Sequence, residues 1–258
     1  MRILFVGDVV GSSGRRALDA LLPGLRERHE PDFVIVNGEN AAGGLGITEK
    51  IASGWLANGV DAITLGNHAY KHRDVYPYLD REQRIVRPAN YPLSNPGRGH
   101  TVVERHGARL GVVNLSGTVF LDAARSAFAE ADAVLADLRG RADHVLVDFH
   151  AEATSEAVAM GWHLDGRVTA CVGTHTHVPT ADARVLPGGT AYVTDVGMTG
   201  PRGGVIGVKR EQALERFLTQ MPVRFETSDE DPWLNAVLID ASGDGRASAI
   251  QQLLLPVE

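Results

Sequence analysis

The sequence contains a single cysteine among 258 residues, so an intrachain disulfide is excluded. It is also poor in aromatic residues, at 6%, and no apolar run approaches the roughly 18 residues that a membrane-spanning helix needs. Residues 1–8 are apolar over too short a distance to form a signal peptide, and they are typical of a first strand. These absences predict a protein of a reducing compartment that does not enter the membrane, and we expect a cytoplasmic location.

Positive charge is scarce as well. The chain has 25 Lys and Arg against 32 Asp and Glu, a formal net charge of -7 and a pI of about 5.8. This balance argues against a partner such as duplex nucleic acid, which basic surfaces bind through its phosphates. A small phosphate ester remains compatible, because a bound metal can reverse the sign of the local field.

Three short apolar runs, at residues 2–6, 33–36 and 61–65, are typical of strands that are buried on both faces of a sheet. Each run ends in a glycine-containing loop, and a helical pattern follows the first two. Residues 11–14 are predicted to form a turn, and Pro23 is predicted to kink the first helix or end it near Leu22. The alternation predicts right-handed parallel crossovers, in which ligand sites lie beyond the carboxyl ends of the strands.

The second half of the chain is richer in antiparallel signals, with hairpins predicted at 101–114 and 183–193 and a terminal strand pair at 233–240 and 247–254. The fold class is therefore α/β, and we expect a layered α/β/β/α sandwich of two mixed sheets with helices on the outside. No linker or repeat interrupts the pattern, so residues 1–258 are expected to form a single domain. Further strands are predicted at 144–149 and 168–172, and further helices at 48–58, 122–139, 152–160 and 208–218.

Polar residues that bind metals follow several of these strands. The strongest signal is the loop after residue 172, where His175 and His177 stand one residue apart, a spacing that suits a transition-metal site. Taken singly, each residue has an ordinary structural role, such as a helix cap for Asp8 or a left-handed turn for Asn67. Their joint occurrence at strand ends indicates a metal site. The candidates are Asp8, Glu39, Asn40, Asn67, His68, His150, His175 and His177.

The order of these residues resembles the calcineurin-like metallophosphoesterases. That family has the motifs D-x-H, G-D-x-x-D, G-N-H-[DE], a lone histidine and G-H-x-H, and here the corresponding segments span residues 8–177. The departures from the pattern resemble the YmdB-type branch of bacterial phosphodiesterases. They are Val10 at the first-motif histidine, Gly38-Glu39-Asn40 in place of the aspartate motif, Ala69 after Gly66-Asn67-His68, and Thr174 inserted between Gly173 and His175.

The resemblance implies two metal ions per chain, with iron favoured and manganese, zinc or nickel left open. It implies that Glu39 bridges the two ions and that His68, a non-ligand, protonates the leaving group as general acid. The reaction implied is hydrolysis of a small phosphodiester, in particular a cyclic nucleotide with the 2′,3′-cyclic form favoured, by a hydroxide between the metals. The first metal would bind Asp8, Asn40 and His177, and the second would bind Asn67, His150 and His175.

Two other functions stay open from the sequence: a phosphomonoesterase on the same metal core, and a regulatory binding protein with structural metals. A homo-oligomer is also left open. The glycines after the first strand do not have the G-x-G-x-x-G spacing, so a dinucleotide cofactor is not expected. Cys171 is predicted to be a core residue. Thr118, Arg202 and residues 197–204 are candidates for substrate contacts, with no motif to support them.

Overall fold

The computed structural model describes residues 1–257, which form two mixed β-sheets packed face to face. The strands of the first sheet are β1 (Arg2–Val6), β2 (Phe33–Asn37), β3 (Ala62–Thr64), β4 (Ile85–Val86), β11 (Gly200–Pro201), β12 (Pro232–Ala241) and β13 (Ala247–Pro256). Their order is β11-β12-β1-β2-β3-β4, with β13 paired to the other side of β12. The pairs from β1 to β4 are parallel, whereas β12 is antiparallel to both β1 and β13.

The second sheet is also mixed. Its strands are β5 (His100–Arg105), β6 (Ala108–Ser116), β7 (His144–His150), β8 (Ala170–Thr174), β9 (Arg184–Val185) and β10 (Ala191–Val193). The order is β5-β6-β7-β8-β10-β9. The four central strands run parallel, and an antiparallel strand closes each edge. The two predicted hairpins are these two edges.

Residues 1–257 contain six α-helices and a short 3-10 helix at Arg73–Val75. Five of the α-helices pack core side chains on the outer faces of the two sheets, whereas the helix at Arg210–Thr219 buries only Ala213. Side chains alternate between the faces of a strand, so β1 sends Phe5 into the core between the sheets and Leu4 outward. Leu18 of the first helix packs on that outer face, and Met160 packs on the outer face of the second sheet. The predicted α/β/β/α layering is confirmed. The helices are α1 (Gly11–His29), α2 (Glu49–Ala57), α3 (Tyr76–Arg81), α4 (Ala127–Leu138), α5 (Thr154–Leu164) and α6 (Arg210–Thr219).

Two local predictions were wrong, and the structure excludes one of the two alternatives for Pro23, that the helix ends near Leu22. Residues 11–14 are the first turn of α1 rather than a separate turn, and Gly14 is required there because a Cβ would lie 2.2 Å from the carbonyl oxygen of Thr199. The helix continues past Pro23. Proline has no N–H, so the carbonyl of Asp19 loses its helical hydrogen bond. Both residues are exposed, and water can satisfy that carbonyl. Residues 122–126 are not helical, because α4 begins only after Ser126, whose hydroxyl caps it.

Cys171 is buried in β8, as predicted. Within residues 1–257, no helix is both long and apolar enough to cross a membrane.

The functional consequence of the topology lies at one edge of the sandwich. The parallel strands of both sheets end on the same side, as the hydrogen bond from Asn37 at the end of β2 to Asp148 of β7 shows.

Candidate metal centre

The structure brings all eight predicted site residues into one connected network at this shared edge. Asp8 follows β1, Glu39 and Asn40 follow β2, and Asn67 and His68 follow β3. His150 is the last residue of β7, and the two histidines of the 175–177 loop follow β8. Each parallel strand thus delivers its polar residues to the place where its backbone leaves the sheet. None of the eight lies elsewhere, although their individual roles are not fixed by their meeting.

Three atoms that carry lone pairs converge on the imidazole of His150. Its Nε2 lies 2.9 Å from Asn67 Oδ1, 3.0 Å from His175 Nδ1 and 3.2 Å from Glu39 Oε2. Ligand atoms of Glu39, His150 and His175 all lie within 4.8 Å of one another. Oxygens and ring nitrogens at such distances repel one another unless positive charge lies among them. The group therefore fits a cation site.

A relay beneath His150 orients its ring. Its Nδ1 lies 2.9 Å from the hydroxyl oxygen of Thr174, and that hydroxyl donates to Asp148 Oδ1 at 2.7 Å. Because the hydroxyl proton goes to the carboxylate, Thr174 accepts from Nδ1–H of His150. With Nδ1 engaged by Thr174, Nε2 is the ring nitrogen directed at the convergent group, as ligand histidines require.

The remaining predicted residues form the other half of the network. Asn40 Nδ2 donates to Glu39 Oε1 at 2.9 Å and lies 3.0 Å from His177 Nε2. Asn40 Oδ1 accepts from Nδ1–H of His68 at 2.7 Å. The Asn40 oxygen, which the resemblance implies to be a metal ligand, thus faces His68, and its amide nitrogen faces the other donors.

The two histidines of the 175–177 loop face different partners. His175 presents Nδ1 to His150 and Nε2 to the carboxylate of Glu152, at 3.0 Å. His177 instead donates from Nδ1 to the carbonyl oxygen of Ile206 at 2.8 Å, which leaves Nε2 for Asn40. Both have positive φ, 108° and 67°, a strained backbone that often occurs at functional sites. The loop therefore turns its two imidazoles in separate directions.

Asp8 is fully buried and incompletely bonded. Its Oδ2 accepts from the backbone N–H of His175 at 3.1 Å, whereas Oδ1 has no hydrogen-bond partner among the described residues. Burial raises the pKa of Asp8 to about 7 against the attraction of His150. A buried carboxylate oxygen without a donor is costly, and a metal ion at this point would satisfy it.

Negative charge dominates the interior of the cluster. Burial lowers the pKa of His150, but attraction by Glu39 and the neighbouring aspartates outweighs burial and raises it to about 9. Burial lowers the pKa of His175 to about 3, and repulsion by His150 acts in the same direction. His175 is thus a neutral imidazole with a free lone pair. Carboxylates that attract positive charge, next to the neutral nitrogen of His175, are the chemistry of a transition-metal site, and a bound metal would take the place of the proton on His150.

Two glycines permit the close approach of the loops. A Cβ on Gly66 would lie 2.2 Å from Glu39 Oε2 and 2.4 Å from His150 Nε2, so any side chain there would enter the cluster. A Cβ on Gly173 would lie 1.7 Å from the carbonyl oxygen of Thr194. The glycines of both motifs are therefore required by packing at the site.

Sequence reasoning missed three residues that support the cluster. Asp148 lies within an apolar strand, where a charged residue is itself a signal, and Thr174 was noted only as an insertion. Asp195 is buried and accepts from the backbone N–H and the hydroxyl of Thr176, at 2.9 and 2.8 Å, which fixes the loop between the two histidines. It follows β10 in the same way as the predicted residues follow their strands, so the same rule could have found it.

Comparison with known proteins places the chain in a family. Residues 4–253 match the model of the YmdB-like proteins. A 2′,3′-cyclic-nucleotide 2′-phosphodiesterase from Bacillus subtilis is 48% identical over 256 residues, which cover 99% of this chain and 97% of that protein.

Two solved structures share the whole fold. A hypothetical protein from Thermus thermophilus superposes with a TM-score of 0.93 and 44% identity, with 99% of each chain covered. A novel phosphatase from Mycoplasma pneumoniae has a TM-score of 0.93 and 36% identity, and the match covers 99% of this chain and 93% of that one. The resemblance drawn from the strand-end motifs is confirmed: the chain belongs to the YmdB-like family.

Proposed function

We propose that the protein is a metal-dependent phosphodiesterase that hydrolyses small phosphodiesters, with 2′,3′-cyclic nucleotides as its preferred substrates. The observation that carries this proposal is the convergence of oxygen and nitrogen ligand atoms around Glu39 and His150. The B. subtilis relative, which is named for this activity and matches nearly the whole chain, supports the substrate class. The relatives named as phosphodiesterase and phosphatase support the broader assignment as a hydrolase of phosphoester bonds.

The donor set fits two metal ions. Asn67, His150 and His175 would hold one ion, and Glu39 would lie between the two. When bound, the metals would supply positive charge that stabilises the phosphoryl oxygens and acidifies a water molecule. Mixed carboxylate, amide and imidazole donors suit iron or manganese and accommodate zinc or nickel, and we favour iron. The other ion would be held by Asp8 and His177. Asn40 would join them once its amide is turned so that Oδ1, which accepts from His68, faces the ion, and Glu39 Oε1 at 3.2 Å would then hold His68 Nδ1.

The contacts of His68 support a role as proton donor to the leaving group. Its Nδ1–H donates to Asn40 Oδ1 and lies 3.2 Å from Glu39 Oε1, and its backbone N–H donates to Glu39 Oε2 at 3.1 Å. Nε2 makes no hydrogen bond to any part of the chain that the structure describes, and the side chain is 20% exposed. An imidazolium held by Nδ1 can donate from Nε2 to the leaving oxygen of a bound diester, as a general acid does.

The test of this function is hydrolysis of bis-p-nitrophenyl phosphate by the purified protein. We expect chelation or Asp8→Ala to reduce the rate by at least about 100-fold, because Asp8 supplies a buried ligand oxygen. Asp19→Ala, at an exposed carboxylate of α1, is the matched control and should retain the rate. Full activity in both the chelated protein and the Asp8→Ala variant would refute a metal-dependent mechanism.

A phosphomonoesterase on the same metal core is the second candidate, and the Mycoplasma relative described as a phosphatase favours it. Rates on 2′,3′-cyclic, 3′,5′-cyclic and 5′-mononucleotides, measured on one preparation, distinguish the two. We expect the 2′,3′-cyclic substrates to give the highest kcat/KM. A higher kcat/KM for the monoesters would favour the phosphatase.

A further inference from the structure

A cavity of about 380 Å³ adjoins the candidate metal centre and has no role in the function proposed so far. His177 forms part of its wall, so the cavity opens next to one of the proposed ligands. Two larger clefts, of about 580 and 490 Å³, contain none of the eight cluster residues. The volume near His177 lies at the lower end of the roughly 300–1,000 Å³ typical of small-molecule sites. It suits one compact group better than a polymer.

One wall of the cavity is formed by two planar side chains, one lying over the other. The guanidinium carbon of Arg202 lies 4.3 Å from the centre of the Trp233 ring, and the indole N–H is fixed by Asp231 Oδ1 at 2.9 Å. Met198 and Ile206 add apolar surface. Planar and apolar walls of this kind accept aromatic ring systems, and arginine and tryptophan both stack on them.

Asn235 supplies the polar recognition group of the cavity. It is only 8% exposed, and its side-chain amide forms no hydrogen bond within residues 1–257. Buried amides are nearly always paired, so a free one that lines a cavity indicates a ligand with complementary polar atoms. An amide offers a donor and an acceptor side by side, as the edge of a nucleobase does.

The position of Asn235 is fixed relative to the metal centre. The backbone carbonyl oxygen of Asn235 accepts from the backbone N–H of Gly7 at 3.0 Å, and Gly7 directly precedes Asp8. The side-chain amide nitrogen of Asn235 is also in close contact with Gly197, where a Cβ would lie 2.7 Å away. On the other side, the carbonyl of Ile206 holds His177, and Ile206 has a φ of 44°, which is strained for a β-branched residue. The cavity and the metal cluster therefore share a rigid frame.

We propose that the cavity formed by His177, Arg202, Trp233 and Asn235 binds the base of the nucleotide substrate. The stacked pair contacts the ring face, and the Asn235 amide pairs with polar atoms on the ring edge. This proposal rests on the phosphodiesterase function and adds the part of the substrate that determines selectivity. In this proposal Arg202 and the 197–204 loop contact the base of the substrate. The sequence named them as candidates for substrate contacts without a supporting motif.

The experiment compares two five-membered cyclic phosphates that differ in the base. Wild-type protein and the variants Asn235→Ala, Asn235→Asp and Arg202→Ala are assayed on 2′,3′-cyclic AMP and on glycerol 1,2-cyclic phosphate. We expect the ratio of the two kcat/KM values to fall about tenfold in each variant, mainly through KM for the nucleotide. The Asn235 variants lose a hydrogen bond to the ring edge, and Arg202→Ala loses the stacking contact with the ring face. Arg139→Ala, at an exposed arginine after α4, should keep the wild-type ratio.

Equilibrium dialysis measures the affinity of the protein for adenosine and so tests the same cavity without turnover. We expect Asn235→Ala and Arg202→Ala to weaken adenosine binding at least fivefold, and Arg139→Ala to leave it unaltered. An unchanged ratio of kcat/KM together with unchanged adenosine binding would overturn the base site. If metal-loaded wild-type protein hydrolysed neither cyclic phosphate, the phosphodiesterase proposal would fail, and the adenosine measurement would still decide whether the cavity accepts a base.

Discussion

At the scale of single residues, each proposed ligand is oriented by the bond that its other polar atom makes. Thr174 holds Nδ1 of His150, the Ile206 carbonyl holds Nδ1 of His177, and the His175 backbone N–H holds one oxygen of Asp8. In each case the remaining atom is directed into the cluster. Such supporting contacts determine metal affinity almost as strongly as the ligands themselves.

Replacement of Thr174 tests this view of the relay. Thr174→Val keeps the shape of the side chain but removes the hydroxyl between His150 and Asp148, so we expect metal affinity to fall about 10- to 100-fold. Thr174→Ser should restore most of it. Competition with a chromophoric chelator measures both variants. Wild-type affinity in Thr174→Val would show that the relay does not support the ligand.

The general acid is tested by the leaving group. His68→Ala should lower kcat about 10²- to 10⁴-fold for a diester with a poor alkoxide leaving group, because that oxygen needs a proton as the bond breaks. For a p-nitrophenolate leaving group the loss should be much smaller, and metal content should stay at the wild-type level. Equal losses on both substrates, with metals retained, would remove the proton-donor role from His68.

The sequence identifies the cluster residues because the ends of strands can be recognised in it. A buried apolar run stops, a glycine follows, and a side chain that can bind a metal comes next. Asp148 can be noticed in the sequence as a charged residue inside an apolar strand, but the strand pattern gives no hint of what that residue contacts across the sheets. Nor does it give the orientation of the Asn40 amide, which depends on hydrogen bonds with His68 and Glu39 that form only in the folded chain.

At the scale of secondary structure, predictions were accurate where an apolar run has clear boundaries in the sequence. Strand β1 was predicted with its observed bounds, and the pair β12 and β13 was found as an adjoining pair. Two-residue strands such as β4 and β11 contain no period and could not be predicted. The return of β12 to the side of β1 was also not predicted, because alternation specifies a buried face but not the partner strand.

Two glycine substitutions separate packing at the site from ordinary helix propensity. Gly66→Ala should place a methyl group among Glu39 and His150, destabilise the fold by about 1–3 kcal/mol and abolish metal binding. Gly24→Ala, in α1 with no atom within 4 Å of the added Cβ, should instead stabilise it by about 0.5–1 kcal/mol. Thermal denaturation and metal analysis report both. Normal metal content in Gly66→Ala would contradict the observed packing.

At the scale of the whole molecule, the sandwich ties the beginning of the chain to its end, since β1 lies between β2 and β12. The core between the sheets draws on both of them, with Phe5 and Ile35 from one and Leu146 and Val172 from the other. We infer a single cooperative domain, because neither sheet can bury its inner face without the other.

Calorimetry tests this inference together with the metal centre. The metals would neutralise buried carboxylates in the folded state alone, so metal at about 100 times its Kd should stabilise the fold by about 2.7 kcal/mol per site. We expect one transition with and without metal, and a lower Tm after chelation. Two separate transitions would contradict the single domain, and a Tm that chelation leaves unaltered would contradict the charge argument.

The most direct measurement of the central claim is a metal titration of chelated protein, with bound metal and hydrolysis of 2′,3′-cyclic AMP determined on the same samples. The account predicts that activity appears as metal binds and reaches its maximum at two ions per chain. In Asp8→Ala, binding should be weakened and activity lost. Full hydrolysis by protein that contains no metal, or maximal hydrolysis with one ion bound, would contradict the two-metal phosphodiesterase.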